Sequence, residues 1–156
     1  MRRLWLSITD EEFLLREAAE RFPNETGGVL MGYRGEGGDL VVTAVLGPGP
    51  DAIHRPTSLV PDHVFHEEEI ARLYEASGRR HQYLGDWHSH PGGSCALSRT
   101  DRRTLHRIAR TPEARVPEPL MLVMGGGIST WRLCVHQVRR GPLFRTIHAL
   151  RIVSFG

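Results

Sequence analysis

The apolar positions change their period several times along the chain, and each change predicts an element. Over residues 10–22, Leu14, Ala18 and Phe22 recur every fourth residue, which predicts a helix with one inward face; Asp10 stands at the N-cap position and Pro23 ends the run. Residues 27–33 predict a strand, 34–38 a hairpin turn, and 39–46 a second strand whose β-branched, nearly continuous apolar run fits burial on both faces. Gly47-Pro48-Gly49-Pro50 is loop, and residues 53–60 read as irregular or a short strand. Pro61-Asp62 opens a second helix reaching about residue 77, with Val64, Ile70 and Leu73 toward the core and Gly78 as its stop. A strand over 81–90, a helix over 98–110 and a short strand over 120–124 follow. Gly125-Gly126-Gly127 then turns the chain into a strand over 128–138, and residues 143–153 predict a last strand or mixed element. The order β-α-β-β-(β)-α-β-α-β-β-β fits an α/β (α+β) domain: a mixed β-sheet flanked by helices.

Composition narrows the class. At 156 residues the length predicts one domain, 1–156, with a core that needs no staples. Apolar residues make up 40% and charged residues 24%, and no apolar run approaches the ~20 residues of a membrane span. Acidic residues from Asp10 onward cut the N-terminal apolar run too early for a signal peptide, so the expectation is a cytoplasmic protein. Cys95 and Cys134 are too few for a disulfide framework. The net charge of +2 is too small to argue for nucleic acid, and no membrane partner is expected. All 20 cations are arginine. A GC-rich genome explains this; an enzyme that works on lysine isopeptides would also gain by offering no acceptor lysine of its own.

The candidate chemistry lies in His88-Ser89-His90-Pro91, followed after ten residues by Asp101. Side chains two apart on a strand share a face, so His88 and His90 present both imidazoles together while Ser89 points away. Asp101 precedes the apolar Leu105 and Ile108 by four and seven residues, which sets a carboxylate on the buried stripe of the third helix. Two imidazoles and one carboxylate can hold a zinc ion and leave its fourth position to water, as catalytic zinc sites do. Read as ordinary residues, the histidines are half-buried and Asp101 is a helix N-terminal charge. Glu25 is a candidate general base, though a turn residue beside Thr26-Gly27-Gly28 is the other reading. Ser98 is a good N-cap and equally a hydroxyl able to stabilise an oxyanion.

Taken together, Glu25, His88-Ser89-His90-Pro91, Ser98 and Asp101 resemble the JAMM motif of the MPN-plus/JAB metalloproteases. Glu25-Thr-Gly-Gly-Val-Leu-Met-Gly is similar to the stretch around that family's catalytic Glu, and Gly85-Asp86-Trp87-His88-Ser89-His90-Pro91 to its metal strand. The resemblance covers about residues 10–140. It implies a fold related to cytidine deaminases and hydrolysis of isopeptide or peptide bonds after the C-terminal glycine of ubiquitin-like proteins. It further implies one zinc on His88, His90 and Asp101, with Glu25 moving the proton and Ser98 steadying the tetrahedral intermediate. Gly47-Pro-Gly-Pro-Asp-Ala, Pro61-Asp62 and Tyr83-Leu-Gly-Asp-Trp-His-Ser-His-Pro look like bacterial JAB deconjugating peptidases, some of which sit in CBASS-type antiphage (antiviral defence) operons. That narrower resemblance implies a substrate conjugated through its C-terminus, such as a cGAS-like nucleotidyltransferase, and E1/E2-like operon partners. Cys95-Ala96-Leu97 departs from the family pattern just before Ser98.

The remaining features have plainer readings. Arg99, Arg103, Arg107 and Arg110 form a basic stripe, either a solvated face or a contact for an acidic substrate surface. His63, His66 and Glu67 suggest surface residues ahead of a second metal site. Cys95 is not needed as a ligand, because the His/His/Asp set is complete. Residues 53–60 would suit an edge strand pairing with an extended substrate tail. Two other functions stand beside the isopeptidase: trimming of a ubiquitin-like sulphur-carrier protein, and a non-catalytic MPN scaffold. A deaminase is disfavoured, since no Pro-Cys-x-x-Cys completes that zinc site.

Overall fold

The computed structural model describes residues 2–156. The chain runs β1 (Arg3–Ser7), α1 (Ile8–Arg21), β2 (Gly27–Arg34), β3 (Leu40–Leu46), β4 (Ile53–Arg55), β5 (Ser58–Val60), α2 (His63–Ala76), β6 (Gln82–Pro91), α3 (Arg99–Arg110), β7 (Leu120–Gly126), β8 (Arg132–Arg140) and β9 (Arg145–Phe155). Seven strands form one mixed sheet in the order β1-β3-β2-β6-β7-β8-β9, and β1 pairs in parallel with both β3 and β9, so the sheet closes into a barrel. The mixed sheet with flanking helices is as the sequence predicts; its closure is not, because it rests on a five-residue strand joining partners from opposite ends of the chain. β4 and β5 form a separate hairpin.

Burial follows the strand alternation. The inner faces of the sheet and α1 share one core, with Leu4, Leu6, Leu14, Leu30, Leu122 and Trp87 fully or almost fully buried. On the outside, α2 lays Ile70 and Leu73 over Val29 and Met31, and α3 lays Leu105 and Ala109 over Met121 and Val123. The two helices leave the outward face of β6 uncovered between them, and that gap is the cleft described below. No helix among the described residues is long and apolar enough to cross a membrane.

Several details differ from the sequence reading. The N-cap of α1 is Ser7, whose Oγ accepts from the Asp10 N–H at 3.0 Å; Asp10 sits instead in the first turn, where a negative charge suits the helix dipole. Val64 is 66% exposed, and His66 takes the inward position. The reason is a polar anchor: His66 Nε2 lies 2.7 Å from the Gly47 carbonyl, which fixes α2 to the loop after β3. β8 begins at Arg132 rather than 128, since Ile128 stays exposed in the turn, and Leu143 and Phe144 are exposed ahead of β9. Cys95 and Cys134 are bonded to each other, with Cα atoms 5.5 Å apart; two cysteines make one bridge, and it ties the loop after β6 to β8.

Candidate functional site

The site grows out of the C-terminal half of β6. Ser89 is fully buried on the inward side, and His88 and His90 lie half-buried on the outward side. The intervening serine does more than point away. Its Oγ accepts from the Thr26 N–H at 3.0 Å, and its own N–H donates to the Thr26 carbonyl at 2.8 Å. These bonds dock the entry of β2 beside the two histidines. On the other flank, the Glu25 N–H donates to the Arg55 carbonyl at 2.8 Å and His54 Nδ1 lies 2.9 Å from the Glu25 carbonyl, so the β4–β5 hairpin grips the same backbone. Gly28 is required here: a Cβ would overlap the Leu46 carbonyl and crowd the Trp87 indole, whose N–H donates to that carbonyl at 2.9 Å. Strand alternation predicts that Ser89 points inward, but its partner, Thr26, lies 63 residues away and spacing does not reveal it.

α3 supplies the carboxylate. Ser98 caps the helix reciprocally with Asp101: the Asp101 N–H donates to Ser98 Oγ at 3.0 Å, and the Ser98 N–H donates to Asp101 Oδ2 at 2.8 Å. The N-cap reading of Ser98 holds, and because its Oγ accepts in the cap, its own proton remains free at the cleft. Asp101 is 9% exposed and faces inward, as its place ahead of Leu105 predicts. Its Oδ1 lies 3.1 Å from His88 Nε2 and its Oδ2 3.3 Å from His90 Nε2.

These three residues bring their donor atoms within 4.8 Å of one another. The His88 and His90 Nε2 atoms converge to 3.0 Å. Two neutral imidazoles at that distance need a shared cation or proton between them. His90 Nδ1 lies 3.0 Å from the Ser94 carbonyl, which accepts its proton; neutral His90 then turns its Nε2 lone pair toward the cluster, and protonated His90 donates from Nε2 to Asp101. Two nitrogens, one carboxylate and an outer partner that sets the tautomer fit a metal with an open position.

The charges are tuned accordingly. Burial would raise Asp101, but hydrogen bonds from His88 and His90 hold its carboxyl far below the usual range. The Asp101 hydrogen bond raises His90. Glu25 is pushed up by burial, against the lowering pull of His88 and His90, and its carboxylate takes no hydrogen bond among the described residues. Glu25, Ser98, His88, His90 and Asp101 all line one cleft of about 1160 Å³, between α2 and α3 above β6. The cleft holds a residue the sequence reading passed over: Asp86, two positions before His88 on the same face. The remaining candidates divide. Arg107 reaches the cleft while Arg99, Arg103 and Arg110 stay on the solvated face; His66 is buried on the Gly47 carbonyl and joins no metal cluster among the described residues; Cys95 turns away to Cys134.

Residues 11–134 match the family described as prokaryotic homologs of the JAB domain. A probable metalloprotease of Sinorhizobium fredii, y4qB, is 40% identical over 129 residues, covering 82% of this chain and 79% of that protein. A CD-NTase/cGAS isopeptidase of Enterobacter hormaechei is 31% identical over 129 residues, covering 78% of this chain and 66% of its own length. The fold matches the solution structure of protein DSY2949 from Desulfitobacterium hafniense with a TM-score of 0.70 at 20% identity, over 97% of this chain and 92% of that one.

Proposed function

The chain belongs to the family of prokaryotic JAB-domain proteins, and on that premise we propose that it is a single-domain, zinc-dependent peptidase that releases a protein joined through its C-terminal tail. The observation that carries the reading is the convergence of His88, His90 and Asp101 within 4.8 Å of one another, beside a carboxylate, Glu25, that accepts no hydrogen bond among the described residues. His88, His90 and Asp101 would hold the metal. Bound there, zinc supplies Lewis acidity that eases deprotonation of water and polarises the scissile carbonyl.

The chain's own groups do the rest. Glu25 takes a proton from the attacking water on its carboxylate and delivers it to the leaving nitrogen, a task suited to an acid whose pKa burial has raised. The Ser98 hydroxyl donates to the oxygen of the tetrahedral intermediate, since its lone pair already serves the Asp101 N–H. Ser89 and the β4–β5 hairpin keep Glu25 in place from both sides. The open edge of that hairpin offers backbone groups to an extended tail. Relatives named CD-NTase/cGAS isopeptidases support a conjugated protein as substrate, with a cGAS-like nucleotidyltransferase the first to try and E1/E2-like enzymes as the conjugating partners.

The test is cleavage by the zinc-loaded protein of C-terminal fusions of ubiquitin-like proteins, sulphur carriers and bacterial cGAS-like nucleotidyltransferases, read by mass spectrometry. Glu25→Ala and a chelated sample run alongside. Hydrolysis at the tail, lost in both controls, identifies the substrate class. Cleavage of the sulphur carrier alone transfers the reading to tail trimming. A protein that takes up no zinc overturns the assignment of His88, His90 and Asp101.

A further inference from the structure

Asp86 is a partly buried titratable group in the cleft that the reaction above leaves without a task. It stands in one outward row with His88 and His90 by strand alternation, and a bulge just before it brings a second side chain to that face. In the pairing of β2 with β6, Leu30 faces Gly85 but Met31 faces Tyr83, so Leu84 is the extra residue. Glycine at 85 permits this, because a Cβ would overlap the Leu120 carbonyl of β7. The bulge turns Tyr83 to the same side as Asp86, and the Tyr83 hydroxyl donates to Asp86 Oδ1 at 2.7 Å.

Among the described residues the Asp86 side chain makes no other hydrogen bond and no ion pair. The histidines facing it are His66, His88 and His63. His66 is committed to Gly47 and His88 to Asp101, which leaves only His63 at the exposed start of α2. A carboxylate partly withdrawn from water gains from a cationic partner. The cleft that holds it is lined by Ile70 and Tyr74 from α2 and by Thr104, Arg107 and Ile108 from α3, with Arg107 the one α3 cation near Tyr83. A cleft that sets aliphatic and aromatic side chains beside a carboxylate suits a side chain that has a long apolar stem and a cationic head.

We propose that Asp86, oriented by Tyr83, is a specificity-determining residue that receives an arginine or lysine side chain of the substrate. The two-residue offset from His88 sets that side chain about 7 Å along β6 from the metal ligands, one strand repeat from the scissile bond. The proposal rests on the peptidase reading and adds a substrate class to it: a tail or acceptor segment with a basic residue near the bond that is cut.

The probes are fluorescein-labelled decapeptides with a central glycine, carrying Arg, Gln or Glu in turn at each position on either side of it. Anisotropy reads their binding to metal-free protein, and mass spectrometry reads their cleavage after zinc loading. At one position Arg should bind about tenfold more tightly than Gln, as expected for a charge pair out of bulk water, with Glu weakest. Asp86→Asn keeps an acceptor for Tyr83 and should bring the Arg-to-Gln ratio close to one. Asp86→Glu should restore the preference, and Asp86→Arg should invert it. Equal binding of the three peptides at every position, no binding at all, or a preference that survives in Asp86→Asn overturns the subsite. Equal binding with efficient cleavage overturns the subsite alone, whereas an Asp86-dependent preference without cleavage supports the subsite and fails the peptidase reading.

Discussion

Two half-buried glutamates stand at opposite ends of the barrel, and their surroundings have opposite characters. Glu118, just before β7, is saturated: Oε1 takes Arg2 at 3.1 Å and Arg34 at 3.4 Å, and Oε2 takes the Arg140 N–H at 2.9 Å. Burial would raise its pKa, yet the Arg140 N–H and the two guanidinium groups hold it below the usual range. Glu25, at the entry of β2, has its backbone clamped on both sides and its carboxylate left free, and burial raises it. One end spends its carboxylate on holding strands and the N-terminal segment together. The other fixes the main chain and keeps the carboxylate available for the proton-moving role proposed for it.

Removing the charge at each end should break this contrast in different ways. The largest effect is expected at Asp101→Ala: hydrolysis falls to background and the purified protein loses its zinc by elemental analysis. Zinc retained at one per chain would sink the ligand set. Glu25→Gln should lower turnover by roughly 10²–10⁴-fold while zinc content stays whole. In metal-free protein the same change should not lower the melting temperature at neutral pH and should raise it slightly. A carboxylate with a raised folded-state pKa costs stability when ionised, so the gain disappears as pH falls below its unfolded value of 4.5.

Ser98→Ala should cost about 1 kcal/mol of stability as a lost cap and on the order of 10²-fold in turnover as a lost oxyanion donor. Ser98→Asp should recover the stability without the turnover; recovery of both would assign Ser98 to the cap alone. Glu118→Gln, at the structural end, should leave turnover intact and lose about 1–3 kcal/mol at pH 7 by denaturant unfolding. That loss has the opposite pH dependence to Glu25→Gln. The contribution of Glu118 is complete above the unfolded value of 4.5 and fades as pH falls through its depressed folded-state pKa. Parallel pH profiles for the two glutamine variants would erase the distinction between the ends.

What could be read in the sequence was whatever depends on short spacing. His88 and His90 share a face because strands alternate, and Asp101 faces inward because it precedes Leu105 by one helical turn. Non-local contacts were hidden. Ser89 gave no sign that it would reach Thr26, 63 residues away, and β1 carried no mark of its second partner, β9. The bulge at Leu84 is a feature of its pairing with β2, which the sequence of β6 alone does not carry. Val64 was placed inward on hydropathy, but α2 is oriented by the hydrogen bond of His66 to Gly47, and hydropathy does not register that bond.

The closure of the barrel through β1 constrains the order in which the chain can acquire its structure. Arg3 to Ser7 pair with Arg151 to Phe155. A ribosome releasing this chain must therefore expose the free edges of β1 and β9's other neighbour, β8, until the last strand has emerged. Pairing across such a sequence distance is slow relative to local contacts, so the nascent protein passes through a stage with open strand edges that invite association.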